Sequence, residues 1–78
     1  MKPGDLCAIP TWRSHINMFE NVDEQRDDGI VFESGECLLA EETGLVLRTH
    51  KHNSSTYCLV LTPRGTAGWI HEYHLRNP

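Results

Sequence analysis

The sequence predicts an all-β fold, and three observations carry that prediction. Apolar residues recur at period two or in short runs, no window of a dozen residues keeps the 3.6-residue stripe of an amphipathic helix, and Gly and Pro punctuate the intervals. At 78 residues and 8.9 kDa the chain is expected to form one domain over 1–78. Mass scaling gives such a chain about 4,800 Å² of folded surface against about 12,900 Å² unfolded, enough burial for one core and too little for a large catalytic cleft.

The elements follow in order. Pro3-Gly4 leads into a short strand over 5–9, which Pro10 closes by removing a ladder donor. Residues 11–29 are polar and acidic, end in Asp28-Gly29, and read as a long loop anchored by Trp12, Ile16, Met18, Phe19 and Val22. Residues 29–33 and 36–40 form two apolar stretches around a Ser34-Gly35 turn. Residues 45–49 make the next strand, and the polar run 50–56 a hairpin loop or a distal turn. The β-rich run 57–61 stops at Thr62-Pro63-Arg64-Gly65, a turn built on Pro and Gly. Residues 67–70 form its partner strand, 71–74 a 3₁₀ turn, and Leu75 and Arg76 close the chain. The expected core is Leu6, Ala8, Val31, Leu38, Leu45, Leu47, Leu59, Leu61, Ile70 and Leu75.

Charge is placed unevenly. Residues 1–42 hold 3 basic and 10 acidic side chains, net −7, whereas residues 43–78 hold 4 basic and 1 acidic, net +3, within a total of −4. Four cations spread over the second half are a thin supply for phosphate binding, so nucleic acid is not the expected partner. Three cysteines, Cys7, Cys37 and Cys58, form no even framework and no Cys-x-x-Cys pair; they read as free, buried thiols suited to a reducing compartment. No apolar run approaches the roughly 20 residues of a membrane span. Met1-Lys2-Pro3-Gly4-Asp5 carries no signal-like apolar stretch. A soluble, cytoplasmic protein is expected.

The run Thr62-Pro63-Arg64-Gly65-Thr66-Ala67-Gly68-Trp69-Ile70-His71-Glu72-Tyr73-His74-Leu75 resembles bacterial and phage SH3-like domains, in which a glycine turn precedes Gly-Trp-Ile and then a Leu. Glu33-Ser34-Gly35-Glu36-Cys37-Leu38-Leu39 is similar to the element after their long loop, and Lys2-Pro3-Gly4-Asp5-Leu6 to the start of short phage proteins of that fold. The resemblance implies a five-stranded SH3-like barrel with a long acidic first loop and a 3₁₀ turn before the last strand. Departures from signalling SH3 domains are clear: the first strand lacks aromatics, Tyr57-Cys58 stands where a Trp pair is expected, and His71 and His74 occupy the Pro and Tyr positions. A proline-binding groove is therefore not implied.

Strand alternation sets Trp69 opposite Ile70, with Ile70 the natural core residue and Trp69 a contact candidate. The expected partner-binding set is Trp69, Tyr73, Trp12 and Phe19, rimmed by Glu24, Asp27 and Asp28. His50-x-His52 and His71-x-x-His74 each offer half a zinc site, but no Cys pair or close carboxylate completes either, so no metal or cofactor is expected. No catalytic motif appears, and the adjacent acidic pairs 27–28 and 41–42 point apart in an extended chain. The expectation is a non-enzymatic protein-binding module of phage or bacterial type. A structural component of a virion or other assembly, and a nucleic-acid or ribosome-associated small barrel, are the alternatives.

Overall fold

The structure, a computed structural model, describes residues 1–20 and 33–78. Its strands are β1 (Leu6–Cys7), β2 (His15–Phe19), β3 (Glu33–Leu39), β4 (Gly44–His52), β5 (Ser55–Leu61) and β6 (Ala67–His71), followed by the 3₁₀ turn Glu72–His74. All pair antiparallel in one sheet of order β1-β4-β5-β6-β2-β3, curled into half a barrel. After the 3₁₀ turn the chain returns to β1, where Ala8 and Arg76 exchange N–H···O=C bonds of 2.9 Å. The accessible surface is 4796 Å², the value that mass scaling gives.

The first strand, expected over 5–9, shortens to Leu6–Cys7, and β6 runs one residue longer than expected, to His71. Three larger differences each arise because a partner strand overrode a local signal. Residues 15–19 form a strand within the stretch read as loop: Ile16 and Met18 are buried while His15 and Asn17 are exposed, the alternation of a half-buried strand. The Ser34-Gly35 turn does not form. Asn17 pairs with Cys37 and Phe19 with Glu33, leaving one residue of β2 against three of β3, so the punctuation is absorbed as a bulge. The hairpin loop expected over 50–56 shrinks to Asn53-Ser54. The β4–β5 ladder continues out to His52↔Ser55, and Asn53 takes the left-handed φ of 55° that Asn tolerates. The turn at residues 62–66 forms as read: Thr62 N–H donates to Thr66 C=O at 2.8 Å and Gly65 supplies φ 86°.

The core lies inside the curl, and its phase inverts much of the expected list. Cys7 and Ile9, Ile16 and Met18, Leu38, Val46, Cys58 and Val60, and Ile70 are buried. Of the expected core, Leu38 and Ile70 are buried and Leu75 packs partly against the cluster, whereas Leu6 is 54% and Leu47 38% exposed. Val31 lies outside the described residues. Leu45, Leu59 and Leu61 are half-buried on the opposite face, and Ala8 is half-buried too. Each apolar triplet (6–8, 45–47, 59–61) turned its middle residue inward.

The cause is space. Strands approach closely inside a tight curl: a Cβ on Gly44 would stand 2.4 Å from Val60 Cγ1 and 3.2 Å from Cys7 Sγ, and one on Gly68 2.5 Å from Met18 Cβ. Val and Cys fit such an interior where a row of leucines would not. Leu47 is also the extra residue between the pairs Val46↔Val60 and Arg48↔Leu59. Alternation after buried Val46 already sets Leu47 outward, and the bulge leaves both Leu47 and Arg48 opposite Leu59.

A clamp ties two turns together. The Arg64 guanidinium donates to both Glu42 carboxylate oxygens, from Nε at 2.9 Å and from Nη2 at 3.1 Å, and also to the Cys37 carbonyl. Glu42 Oε1 in turn accepts the Leu39 N–H at 2.9 Å. Held so, the Glu42 carboxyl lies below its ordinary pKa, first because of the Arg64 hydrogen bond and then the Leu39 N–H.

Candidate functional site: the groove where β2 leaves β6

β2 ladders with β3 at His15↔Leu39, Ile16↔Leu38 and Asn17↔Cys37. Its pairing with β6 is confined to Phe19↔Trp69. Beyond that pair the β2–β6 ladder does not continue, although Met18 still packs closely over Gly68. Here lies a groove of about 650 Å³. Its lining comes from β2 (His15, Ile16, Asn17, Phe19), from β6 and the 3₁₀ turn (Ile70, His71, His74), and from the connection before β2 (Trp12, Arg13, Ser14). Arg13 N–H bonds back to the Pro10 carbonyl at 3.0 Å, a tight turn that sets Trp12 at its tip, 77% exposed. The Arg13 guanidinium carbon lies 5.6 Å from the Trp12 ring centroid, within cation–π range.

The hydrogen bonds assign the imidazoles. A guanidinium and a backbone amide only donate, so the ring nitrogens they touch accept. Arg13 Nη1 meets His74 Nδ1 at 3.1 Å, and the Tyr73 N–H meets His71 Nδ1 at 3.1 Å. His74 is therefore neutral with the proton on Nε2, and in both rings Nδ1 accepts and Nε2 presents an N–H donor. Burial, then the Arg13 charge, then His71 push the His74 pKa below the ordinary imidazole value, in agreement with that neutral form. His15 Nδ1 is 3.0 Å from Ser14 Oγ. These two are sequence neighbours, both exposed, and no other hydrogen bond among the described residues orients the ring. A Ser nucleophile needs a base that a third group holds in place, and this pair has none there.

The expected contact residues divide. Trp12 and Phe19 line the groove. Tyr73, 77% exposed, stands beside it with its ring against His74 at 4.3 Å and His71 at 5.3 Å between centroids. Trp69 is half-buried on the outer face, where Phe19 and Leu59 pair with it on either side and His50 meets its ring edge at 6.4 Å. It supports Phe19 and does not line the groove. Glu24, Asp27 and Asp28 lie outside the described residues.

Arg13 and His15, which the sequence reading passed over, enter the site. The signal for both was the His15-Ile16-Asn17-Met18 alternation immediately after Trp12-Arg13.

His71 and His74 come together, centroids 6.2 Å apart, but each has spent Nδ1 on a protein donor. His52 is buried at the far end of β4. Among the described residues no group of three or more metal-ligating side chains gathers. The thiols are free: Cys7 and Cys58 are buried and Cys37 is half-buried, with burial pushing Cys7 up to about 11. Among the described residues no helix is long and apolar enough to cross a membrane. No protein-family model, curated protein or solved structure matches the chain, so the SH3-like resemblance rests on its own motifs.

Proposed function

We propose that the chain is a small non-enzymatic protein-binding module that receives its partner in the groove between β2 and β6. One observation carries this reading: a concavity of about 650 Å³ is lined by the 77%-exposed Trp12 and by Phe19 together with the buried Ile16 and Ile70. Large aromatics together with apolar side chains are the residue types that anchor protein interfaces. The groove's polar groups serve recognition well and chemistry poorly, since two of its three imidazoles have one nitrogen committed to the scaffold.

Trp12→Ala tests the reading without threatening the fold, because the side chain it removes is mostly in solvent. Partners captured by the wild-type chain from its native host, and mapped to the groove by amide shift changes, should lose about 2 kcal/mol of affinity, roughly thirtyfold. A partner bound equally by the variant, or one whose shifts fall elsewhere on the sheet, refutes it.

A further inference from the structure

We infer that the occupant of the groove is an extended acidic peptide segment, lying along the β2 edge with a carboxylate between Arg13 and the His71–His74 pair. The inference rests on the binding-module reading above and adds the chemistry of the partner.

Two independent observations point there. The first is the donor inventory. Among the described residues the lining includes Arg13, His15, His71, His74, Asn17 and Ser14, and no Asp or Glu, in a chain whose net charge is −4. The tautomers fixed by Arg13 Nη1 and by the Tyr73 N–H leave His71 and His74 each with an Nε2–H, and Arg13 is a full cation with donors beyond the one directed at His74. An acceptor-rich, negatively charged group satisfies such an array, and a carboxylate matches a guanidinium in shape as well as charge.

The second observation is the backbone. β2 is laddered to β3 along His15 to Asn17, and among the described residues its other edge carries no ladder partner over those positions. An extended segment can add there as a strand, with its main chain supplying affinity and alternate side chains reaching the groove.

A nucleic acid offers anions too, but it brings one at every nucleotide. One arginine and a pair of imidazoles in a net-negative chain do not compensate a polyanion, whereas they suffice for one or two carboxylates.

The test uses the full chain labelled with nitrogen-15 and four probes. Three are capped eight-residue peptides alternating valine with glutamate, glutamine or lysine, and the fourth is an oligothymidylate of similar length. The glutamate peptide should shift the amides of His15, Asn17, Ile70 and His71 and the Trp12 indole N–H, and slow hydrogen exchange over His15 to Asn17. The glutamine peptide should bind about tenfold or more weakly. Arg13→Gln should remove most of that difference, and the glutamate–glutamine comparison on the wild-type chain decides the matter even if the variant folds poorly.

Equal binding of glutamate and glutamine peptides, or preference for lysine, overturns the acidic partner while leaving a peptide-binding groove. If no peptide shifts the groove, both readings fall. Shifts with oligothymidylate alone make the partner a nucleic acid, and shifts on diluting the protein alone make it a second copy of this chain. Either result overturns the inference.

Discussion

β5 and β2 both run through the middle of the sheet, yet among the described residues only β5 is held along its length on both sides. β5 pairs with β4 from Ser55 to Leu61 and with β6 from Tyr57 to Leu61. β2 is held by β3, and meets β6 at Phe19↔Trp69 alone. Both strands bury alternate side chains, so the hydrophobic term does not separate them. The distinction lies in the backbone: β5 is laddered on both edges, whereas among the described residues β2 has no ladder partner beside His15 to Asn17 on the β6 side. In so small a domain a recognition surface costs little if it is made from an unladdered strand edge rather than by adding a loop.

Hydrogen exchange is the broadest way to break that comparison. Amides of β5 should open only with global unfolding, at several kcal/mol, whereas His15 to Asn17 should exchange through smaller local openings. Equal protection along both strands would show that the groove edge is already satisfied. Next in size, Ile70→Ala removes a 1%-exposed side chain that serves both core and groove lining. It should cost about 2–5 kcal/mol, enough to lower Tm by some 10 °C or more in a domain of this size, as a thermal melt would show. A loss below 1 kcal/mol would mean that this part of the lining is not part of the core.

The inverted phase of β4 gives a sharper and smaller contrast. Val46→Ala should cost about 2 kcal/mol, while its neighbour Leu47→Ala, the larger truncation by volume, should cost well under 1 kcal/mol because Leu47 is 38% exposed. Reversal of that order in denaturant titrations would restore the phase first expected.

Smallest is the Glu42–Arg64 clamp. Glu42 is held below its ordinary carboxyl pKa when folded, so its contribution is present above the unfolded value near 4.5 and is lost as pH falls through the lower folded one. Wild type should therefore lose stability to Glu42→Gln above pH 4.5 and converge with it in more acid solution. A difference between the two that persists unchanged at low pH would disprove the linkage.

Much of the fold was legible because turns and strand composition are local. Pro63-Arg64-Gly65 made its turn, and the strand expected at 67–70 and the 3₁₀ turn expected at 71–74 formed with their shared boundary one residue later. What local reading missed was phase. Leu45-Val46-Leu47 and Leu59-Val60-Leu61 are apolar at every position, so period two cannot say which side faces in, and a slip of one residue exchanges the faces entirely. The answer lay in the tight approach at Gly44 and Gly68, a property of the curl and of no single strand.

The site was legible in part for a similar reason. Trp12 and Phe19 stood out as aromatics, but the groove they line exists because β2 is a strand, and the acidic surroundings of residues 15–19 masked its alternation. Arg13, His15 and the donor roles of His71 and His74 follow from tertiary neighbours 61 positions apart in the Arg13–His74 case.

The Arg64 clamp has a consequence for how the molecule comes apart. Its two ends sit in the β3–β4 and β5–β6 turns, 22 residues apart, and the contact requires both turns to be in place first. An interaction completed that late contributes little to the folding transition state, so removing it leaves the rate of folding nearly unchanged and appears in the rate of unfolding. An Arg64→Ala chevron should therefore move on its unfolding arm alone, which would make Arg64 a latch on the lifetime of the folded chain.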